Sequence, residues 1–325
     1  MWKLGNIEIK GKVVLAPMAG ITCAGYRKYL NSFGVDIAVT EMVSDMGLIY
    51  HNKETESYFT FKKDNAITGV QLFGSNPENL AKSAVIALKL NPNIDFFDVN
   101  MGCPVPKVTK TGAGSSLMLN PRLAGDIIRA IKGVTDKPVT AKIRLGYNEV
   151  NFKDVIKELE SAGVDAIGIH ARTRKELYSG DPHYELLKDL RKEISVPLMV
   201  SGNIYTLDDA INALSITGAD AVMVARGGVG NPFLITQIKT YFETGERLPS
   251  PSFLEQCNYC LELARSMIEE KGELTAMRIY RSIAPKFFSG FANSRTLRTV
   301  LSTSLTTYQS LVNILDEFKQ DYLKV

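Results

Sequence analysis

The sequence predicts a (β/α)8 barrel followed by a small all-helical C-terminal domain. Eight short apolar runs alternate with helix-length segments, and polar residues recur where nearly every run ends. After residue 252 the spacing becomes helical and no strand pattern returns. Continuously apolar strands separated by helices indicate a parallel sheet covered on both faces. An open doubly wound sheet is the alternative, but it would concentrate polar residues at one switch point instead of around a barrel mouth.

Eight runs rich in apolar and β-branched residues predict the barrel strands. Their ranges are 13–17, 36–40, 68–73, 95–100, 139–144, 166–170, 197–201 and 221–225. The segments 161–165 and 217–220 each carry a glycine where a helix would end just before a strand. The residues that mark the predicted strand ends are Met18, Glu41, Gln71, Asn100, Lys142, Arg144, His170, Ser201 and Arg226.

The barrel pattern stops at residues 243–252, where two prolines stand with glycine and serine and predict a linker. From Phe253 to Ile268, apolar residues recur at spacings of three and four, which is typical of one helix face. Further helices are predicted at 273–290, 294–302 and 304–323. We therefore expect a catalytic barrel at residues 1–242 and a helical domain at residues 253–325.

The composition is that of an ordinary globular protein, with 45% hydrophobic and 22% charged residues. The net charge of +3 is too small to indicate nucleic-acid binding, so that interpretation depends on local clusters. The N-terminus lacks the apolar core of a signal peptide, and no run is long enough for a transmembrane helix. Four cysteines in 325 residues do not form a disulfide framework, which predicts a reducing, cytoplasmic location.

Cys103 is the candidate catalytic residue, because it stands between Gly102 and Pro104 just after the fourth predicted strand. Lys107 and Lys110 follow and make the segment positively charged. A thiol with a depressed pKa acts as a nucleophile, whereas a neutral thiol can act as a general acid. A nucleophile would need a histidine partner, and sequence alone cannot place one of the three histidines beside the thiol. Both roles therefore stay open.

Lys142 and Arg144 alternate at the end of the fifth predicted strand, so their side chains point to the same side. Two cations at a barrel mouth suit an anionic or electron-rich ligand. The loops 201–204 and 225–231 follow the seventh and eighth strands and are rich in glycine. Barrels commonly hold a phosphate there, which indicates a phosphorylated cofactor such as FMN or a phosphorylated substrate.

The helical tail carries a basic run without any acidic residue from Arg278 to Arg298, interleaved with aromatic residues. This pattern indicates either a solvated helix face or a surface that contacts a phosphate backbone. Cys257 and Cys260 form a C-x-x-C pair, but a second ligand pair is absent nearby, so we expect core packing and no metal site.

These motifs resemble those of the tRNA-dihydrouridine synthases, in particular the bacterial B-type enzymes. The resemblance covers the whole barrel and is most specific around Cys103. The matching stretches are Leu15-Ala-Pro-Met-Ala-Gly20, residues 100–118, Ala141-Lys-Ile-Arg144, His170-Ala-Arg-Thr-Arg174 and Tyr178-Ser-Gly180. The resemblance implies an FMN-bound barrel that reduces the C5–C6 double bond of particular uridines in tRNA, with NADPH or NADH as the reductant. Flavin N5 would give a hydride to C6, and Cys103 would protonate C5.

The resemblance also implies roles for individual residues. The cofactor would contact Pro17, Met18, Ala19, Gln71, Lys142, His170, Ser201, Gly202, Asn203, Ala225, Arg226 and Gly227. The substrate would contact Asn100, Lys107, Lys110, Arg144, Arg172, Arg278 and Arg281. The tail would grip the tRNA. We expect no membrane and no obligate protein partner, and hence a monomer.

Two rival interpretations remain at this point. A flavin barrel acting on a free pyrimidine, such as a dihydroorotate or dihydropyrimidine dehydrogenase, would not need the basic tail. A non-catalytic tRNA binder would need neither Cys103 nor Lys142.

Overall fold

Within residues 1–63 and 66–322, which the computed structural model describes, eight parallel strands close into a barrel. Successive barrel strands are neighbours around the ring, and the last one pairs with the first. The strands are β1 (Trp2–Leu4), β2 (Ile7–Ile9), β3 (Val13–Leu15), β4 (Ile37–Ser44), β5 (Ile67–Phe73), β6 (Phe96–Asn100), β7 (Val139–Arg144), β8 (Ala166–His170), β9 (Leu198–Ser201) and β10 (Ala221–Val224). The barrel prediction is confirmed, and the open doubly wound sheet is excluded.

Helices surround the barrel, with α4, α6 and α7 packed side by side on its outside. The α-helices are α1 (Ala24–Asn31), α2 (Asp45–Ile49), α3 (Lys53–Ser57), α4 (Pro77–Leu90), α5 (Pro106–Thr109), α6 (Pro121–Lys132), α7 (Phe152–Ser161), α8 (Leu190–Glu193), α9 (Leu207–Thr217), α10 (Phe233–Thr244), α11 (Phe253–Lys271), α12 (Glu273–Tyr280), α13 (Arg295–Thr303) and α14 (Tyr308–Tyr322). None of these described helices is long and apolar enough to cross a membrane.

The strand ends lie close to their predicted positions. β7 and β8 have the predicted bounds, and Arg144 is the register partner of His170, so their last side chains lie level at the barrel mouth. β4 is longer than predicted and continues past Thr40 to Ser44. Its register with β5 shifts between Val39 and Met42, and pairing with β5 then continues to Ser44 after this local irregularity.

An N-terminal hairpin, which the sequence analysis did not predict, closes the opposite end of the barrel. β1 and β2 pair antiparallel. Trp2 and Leu4 pack into a separate apolar cluster with barrel-interior residues that include Phe96 and Met223. The Trp2 indole donates to the Gly11 carbonyl at 3.0 Å. The hairpin strands have only three residues each, too short for alternation to stand out from the sequence.

The same closed end carries four aspartates, one before each even-numbered barrel strand. Each carboxylate accepts a hydrogen bond from a backbone N–H at the start of the preceding strand. These bonds are Val13 to Asp36 at 3.0 Å, Thr68 to Asp95 at 2.9 Å, Val139 to Asp165 at 2.7 Å and Leu198 to Asp220 at 2.9 Å. The backbone N–H at the start of these strands needs an acceptor, and a carboxylate oxygen forms a strong hydrogen bond with it.

The C-terminal helices pack directly on the barrel. Helix α11 lies against α1, where the Gly25 N–H donates to the Glu270 carboxylate and a Cβ on Gly25 would lie 2.5 Å from the Ser266 carbonyl oxygen. Cys257 and Cys260 are buried and free, as expected of core residues. One continuous apolar core runs from the barrel's outer layer into this tail. The domain boundaries proposed from the sequence stay a prediction.

The predicted helix at 273–290 is interrupted. α12 ends at Tyr280, and a 3-10 turn, Ala284–Phe288, follows with Pro285 in its first positions. Proline lacks the N–H that a continuing helix needs, which explains the break. The last predicted helix reaches residue 323, which lies outside the described residues.

Candidate active site

The segment that carries Cys103 is held in a defined turn beyond β6. The Asn100 side-chain oxygen accepts from the N–H groups of Gly102 and Cys103, at 3.2 and 2.8 Å. The Cys103 carbonyl in turn accepts from Ser115 at 3.0 Å. Gly114 has φ +60°, and a Cβ there would lie 2.8 Å from the Cys103 carbonyl oxygen. The chain can therefore fold back over Cys103 only because residue 114 is glycine.

Cys103 lines a cavity of about 400 Å³ at the carboxyl ends of the barrel strands. This size is within the range of small-molecule and cofactor sites. The cavity brings together every residue predicted to contact the cofactor, namely Pro17, Met18, Ala19, Gln71, Lys142, His170, Ser201, Gly202, Asn203, Ala225, Arg226 and Gly227. Asn100 and Arg144, predicted to contact the substrate, line it as well.

The cavity is electrostatically one-sided. Lys142, Arg144 and Arg226 line it, and no carboxylate does so among the described residues. Burial, and after it the neighbouring Arg144, lower the pKa of Lys142 from 10.5 to about 8. Within the described part of the chain, the Lys142 ammonium has no hydrogen-bond or ion-pair partner. A half-buried ammonium with no hydrogen-bond or ion-pair partner is expensive unless a ligand supplies negative charge or acceptors.

His170 is neutral at physiological pH. Burial holds its pKa well below the ordinary 6.5, and the surrounding cations, Lys142 first among them, lower it further. Its Nδ1 lies 3.5 Å from the Ser201 hydroxyl oxygen, and its Nε2 lies 3.2 Å from an Arg172 guanidinium nitrogen. A neutral imidazole offers both a donor and an acceptor to its surroundings.

Arg144 ties the Cys103 turn to the loop after β8. Its Nε donates to the Gly102 carbonyl at 2.7 Å, and one terminal nitrogen donates to the Thr173 and Leu177 carbonyls at 2.9 and 2.8 Å. Burial lowers the pKa of this guanidinium, yet an arginine stays charged at any physiological pH. The residue therefore fixes the distance between two loops while it contributes charge to the cavity.

Tyr178 forms part of the cavity wall and was missed as a site residue, although its motif was noted. Its ring lies 5.3 Å from the Arg144 guanidinium and 5.0 Å from that of Arg226. It also meets His170 edge to face. Tyr178 is 53% exposed, so it covers the two cations from the solvent side. The signal that could have indicated this placement is the stretch Tyr178-Ser-Gly180, which resembles a family motif.

The loops after β9 and β10 approach each other closely beside Arg226. Gly202 and Asn203 have φ values of +142° and +47°. A Cβ on Gly227 would lie 1.9 Å from the Ile204 carbonyl oxygen. Glycine is thus required where the two loops meet, and such loops present backbone N–H groups that favour anions.

The remaining predicted substrate residues lie outside the cavity. Lys107 and Lys110 are exposed next to the Cys103 turn, on and just after α5. Arg278 is exposed on α12, and Arg281 is half-buried with its Nε donating to the Leu305 carbonyl at 2.6 Å. The structure places all four on the surface or in the tail and does not bring them to the cavity.

Arg172 requires a correction. It was predicted to contact the substrate, but its side chain is fully buried. It donates to the carbonyls of Ser179 and Gly180 and to the Asn203 side chain. Arg172 therefore braces the loops around the cavity and offers no surface to a ligand.

Fold and site together define a (β/α)8 barrel with a cation-lined cavity at its C-terminal face and a cysteine at the same place. A family model described as dihydrouridine synthase (Dus) matches residues 14–323. The chain belongs to this family, whose members are oxidoreductases.

Relatives span nearly the full length. The chain is 34% identical over 303 residues to a probable tRNA-dihydrouridine synthase of Rickettsia conorii, covering 92% of this chain and 90% of that protein. It is 33% identical over 281 residues to tRNA-dihydrouridine synthase B of Shewanella oneidensis, covering 86% and 87%. The old yellow enzyme homologue from Zymomonas mobilis shares the fold, with a TM-score of 0.52, 13% identity, and coverage of 76% of this chain and 92% of that one.

Proposed function

We propose that this protein is an FMN-dependent tRNA-dihydrouridine synthase, which reduces the C5–C6 bond of specific uridines in tRNA with NADPH or NADH. One observation carries the proposal: Cys103 lines the same cavity as the residues that the family resemblance assigns to the flavin. The names of the relatives supply tRNA as the substrate.

The cavity fits FMN in its charges and its loops. The unpaired ammonium of Lys142 would face the part of the flavin where electron density gathers. The closely packed loops that carry Gly202, Asn203, Arg226 and Gly227 would hold the phosphate. When bound, FMN supplies the hydride for the substrate carbon.

Cys103 is the proposed general acid. In the described residues no hydrogen bond joins the Cys103 side chain to a histidine, so the histidine pairing typical of a nucleophilic thiol is absent there. His170 lines the cavity, but its lowered pKa leaves it without a proton to give at neutral pH. A neutral thiol at the cavity wall can deliver a proton to C5 of the uracil.

The tRNA would be held by cations outside the cavity. Lys107 and Lys110 are exposed beside the Cys103 turn, and Arg278 is exposed on the helical tail. We propose residues 253–325 as the tRNA-binding part and residues 1–242 as the catalytic barrel, joined by the linker 243–252. A uracil must leave its stack to enter the barrel mouth, and phosphate contacts would offset a few kcal/mol of unstacking.

The test measures dihydrouridine formed in unmodified tRNA, by mass mapping, for the wild type and for Cys103→Ala. We expect Cys103→Ala to keep FMN and tRNA binding and to lose about 10²–10⁴-fold in turnover. Cys257→Ala removes a thiol from the tail and should retain turnover per folded molecule. Normal turnover of Cys103→Ala would refute the acid role. If free uracil or dihydroorotate exchanged electrons with the flavin as fast as tRNA does, the rival free-pyrimidine enzyme would be correct.

A further inference from the structure

A buried chain of hydrogen bonds runs beneath the cavity and joins three barrel strands. One oxygen of Asp98 on β6 accepts from the Thr140 hydroxyl on β7 at 2.6 Å. The other accepts from the Gln71 amide nitrogen on β5, also at 2.6 Å. The Gln71 amide oxygen accepts from the Asn100 amide nitrogen at 2.8 Å, and Asn100 then holds the Cys103 turn. Asp98 itself does not line the cavity.

The carboxylate gives this chain a direction. An ionised carboxylate only accepts hydrogen bonds, so Gln71 must turn its nitrogen toward Asp98. The Gln71 amide oxygen then faces Asn100, so Asn100 must donate from its amide nitrogen. The Asn100 oxygen is left for the N–H groups of Gly102 and Cys103. A side-chain amide alone has two nearly equivalent orientations, and Asp98 removes this freedom from both.

The direction determines what the cavity floor offers to a ligand. Gln71 and Asn100 both line the cavity, and the oxygen of each amide is already engaged inside the chain of bonds. Gln71 can therefore turn its second N–H toward a ligand, whereas the second N–H of Asn100 points to the Met42 sulfur, 3.6 Å from the amide nitrogen. Together with the cations Lys142 and Arg144, the floor presents donors and positive charge, which match ligand edges that carry carbonyl oxygens or ring nitrogens.

Asp98 also lies on the strand next to that of Lys142, because Asp98 is the register partner of Thr140 and Asn100 is that of Lys142. Asp98 is 2% exposed, and burial raises its pKa, while Thr140, Gln71 and Lys142 favour its charged form. The groups that face Lys142 are Arg144, His170, Asp98 and Cys103. Asp98 favours the charged form of the Lys142 ammonium, whereas Arg144 disfavours it. Asp98 is thus the only carboxylate in this group of described neighbours, and it lies beneath the cavity without lining it.

We propose that Asp98 is a positioning residue, which orients the amides of Gln71 and Asn100, steadies the Cys103 turn and sustains the charge of Lys142 without touching the ligand. The proposal rests on the proposed function, because the ligand that these amides and Lys142 would face is the flavin proposed there. Its test uses the full chain without cofactor or tRNA, so the two proposals can fail separately.

The first measurement follows the titration of the Lys142 ammonium by carbon NMR of lysine-labelled protein, with Lys142→Met used to assign the signal. In Asp98→Asn the midpoint should fall by about 1 pH unit or more, because the opposite charge is gone. Asp165→Asn removes a carboxylate at the opposite end of the barrel and should leave the midpoint close to that of the wild type. An unmoved midpoint in folded Asp98→Asn would overturn the proposal, since a merely structural aspartate would not affect this titration.

The second measurement is hydrogen exchange at the Cys103 backbone N–H, and it keeps the proposal testable if Asp98→Asn does not fold. Gln71→Met conserves volume but breaks the chain of bonds between Asp98 and Asn100. We expect the Cys103 N–H to exchange about tenfold faster, with the Ile143 N–H on β7 unchanged. Thr140→Val serves as the control with wild-type exchange. Wild-type protection in Gln71→Met would mean that Asn100 holds the turn alone and would refute the relay.

Discussion

The two ends of the barrel are built from the same strands and have opposite characters. The closed end carries Asp36, Asp95, Asp165 and Asp220, each bound to a backbone N–H of the neighbouring strand. The open end carries Lys142, Arg144 and Arg226 around a cavity in which no carboxylate appears among the described residues. At the closed end each of these four carboxylates has a hydrogen-bond partner within the fold, whereas the Lys142 ammonium at the open end has none in the described chain.

This difference separates stability from chemistry. Paired carboxylates satisfy the strand starts, and the hairpin fills the space between them with apolar side chains. The open end leaves charge uncompensated, which destabilises the free protein but prepares a site for a ligand. Mutations at the closed end should therefore lower the free energy of unfolding and leave turnover per folded molecule intact, while those at the open end should lower turnover and, where they remove uncompensated charge, stabilise the free protein.

The largest expected loss of stability comes from Trp2→Ala. Trp2 is 8% exposed, packs into the barrel interior and donates to the Gly11 carbonyl. Removing a buried aromatic side chain costs about 3–5 kcal/mol, which urea denaturation would measure. Tyr50→Ala removes an exposed aromatic residue and serves as the control. A drop in turnover per folded molecule for Trp2→Ala would contradict the separation of the two ends.

Lys142 should give the pH signature of the open end. Its pKa is about 8 in the folded protein against the ordinary 10.5, so between these values the folded state has released a proton that the unfolded state still holds. The free energy of unfolding therefore rises with pH across this window, by at most about 3 kcal/mol. The stability of the wild type minus that of Lys142→Met should grow from pH 7 to pH 10.

The control for this measurement is Lys157→Met, which removes an exposed lysine of α7 on the outside of the barrel. Its stability difference from the wild type should not follow the same curve. If the difference in unfolding free energy between the wild type and Lys142→Met stayed constant with pH, the pKa of Lys142 would not be lowered by burial in the cavity.

Gly69→Ala tests the layer between the two ends. A Cβ on Gly69 would lie 2.2 Å from the Phe96 ring, which is buried in the barrel interior. Overpacking of this kind costs about 1–3 kcal/mol. Phe96→Leu should relieve part of the cost when combined with Gly69→Ala, measured as a double-mutant cycle. Gly133→Ala, where the Cβ meets only ordinary contacts, should be near neutral, and a full additive cost in the double variant would argue against the clash.

The sequence predicted the strands well because each is a continuous apolar run bounded by glycine, proline or charge. Eight of the nine residues predicted at strand ends line the cavity, because the ends of parallel barrel strands meet at its mouth. Glu41 is the exception and accepts from the Gly20 N–H, and the other predicted cofactor residues came from the family resemblance. It could not predict β1 and β2, whose short runs carry little periodicity. It missed Tyr178 and misjudged Arg172, because burial depends on how the loop after β8 folds back. Asp98 looked like any strand residue, and only its bonds to Gln71 and Thr140 give it a role.

The smallest expected effects separate the two contacts of one carboxylate at the closed end. Asp165 accepts from the Val139 N–H and from the Lys132 ammonium, both at 2.7 Å, and Lys132 is partly exposed. Lys132→Met removes only the ion pair and should cost less than about 1 kcal/mol. Asp165→Asn also weakens the bond to the strand and should cost about 1–2 kcal/mol. Equal costs for the two variants would show that the ion pair, and not the capping of β7, explains why an aspartate stands there.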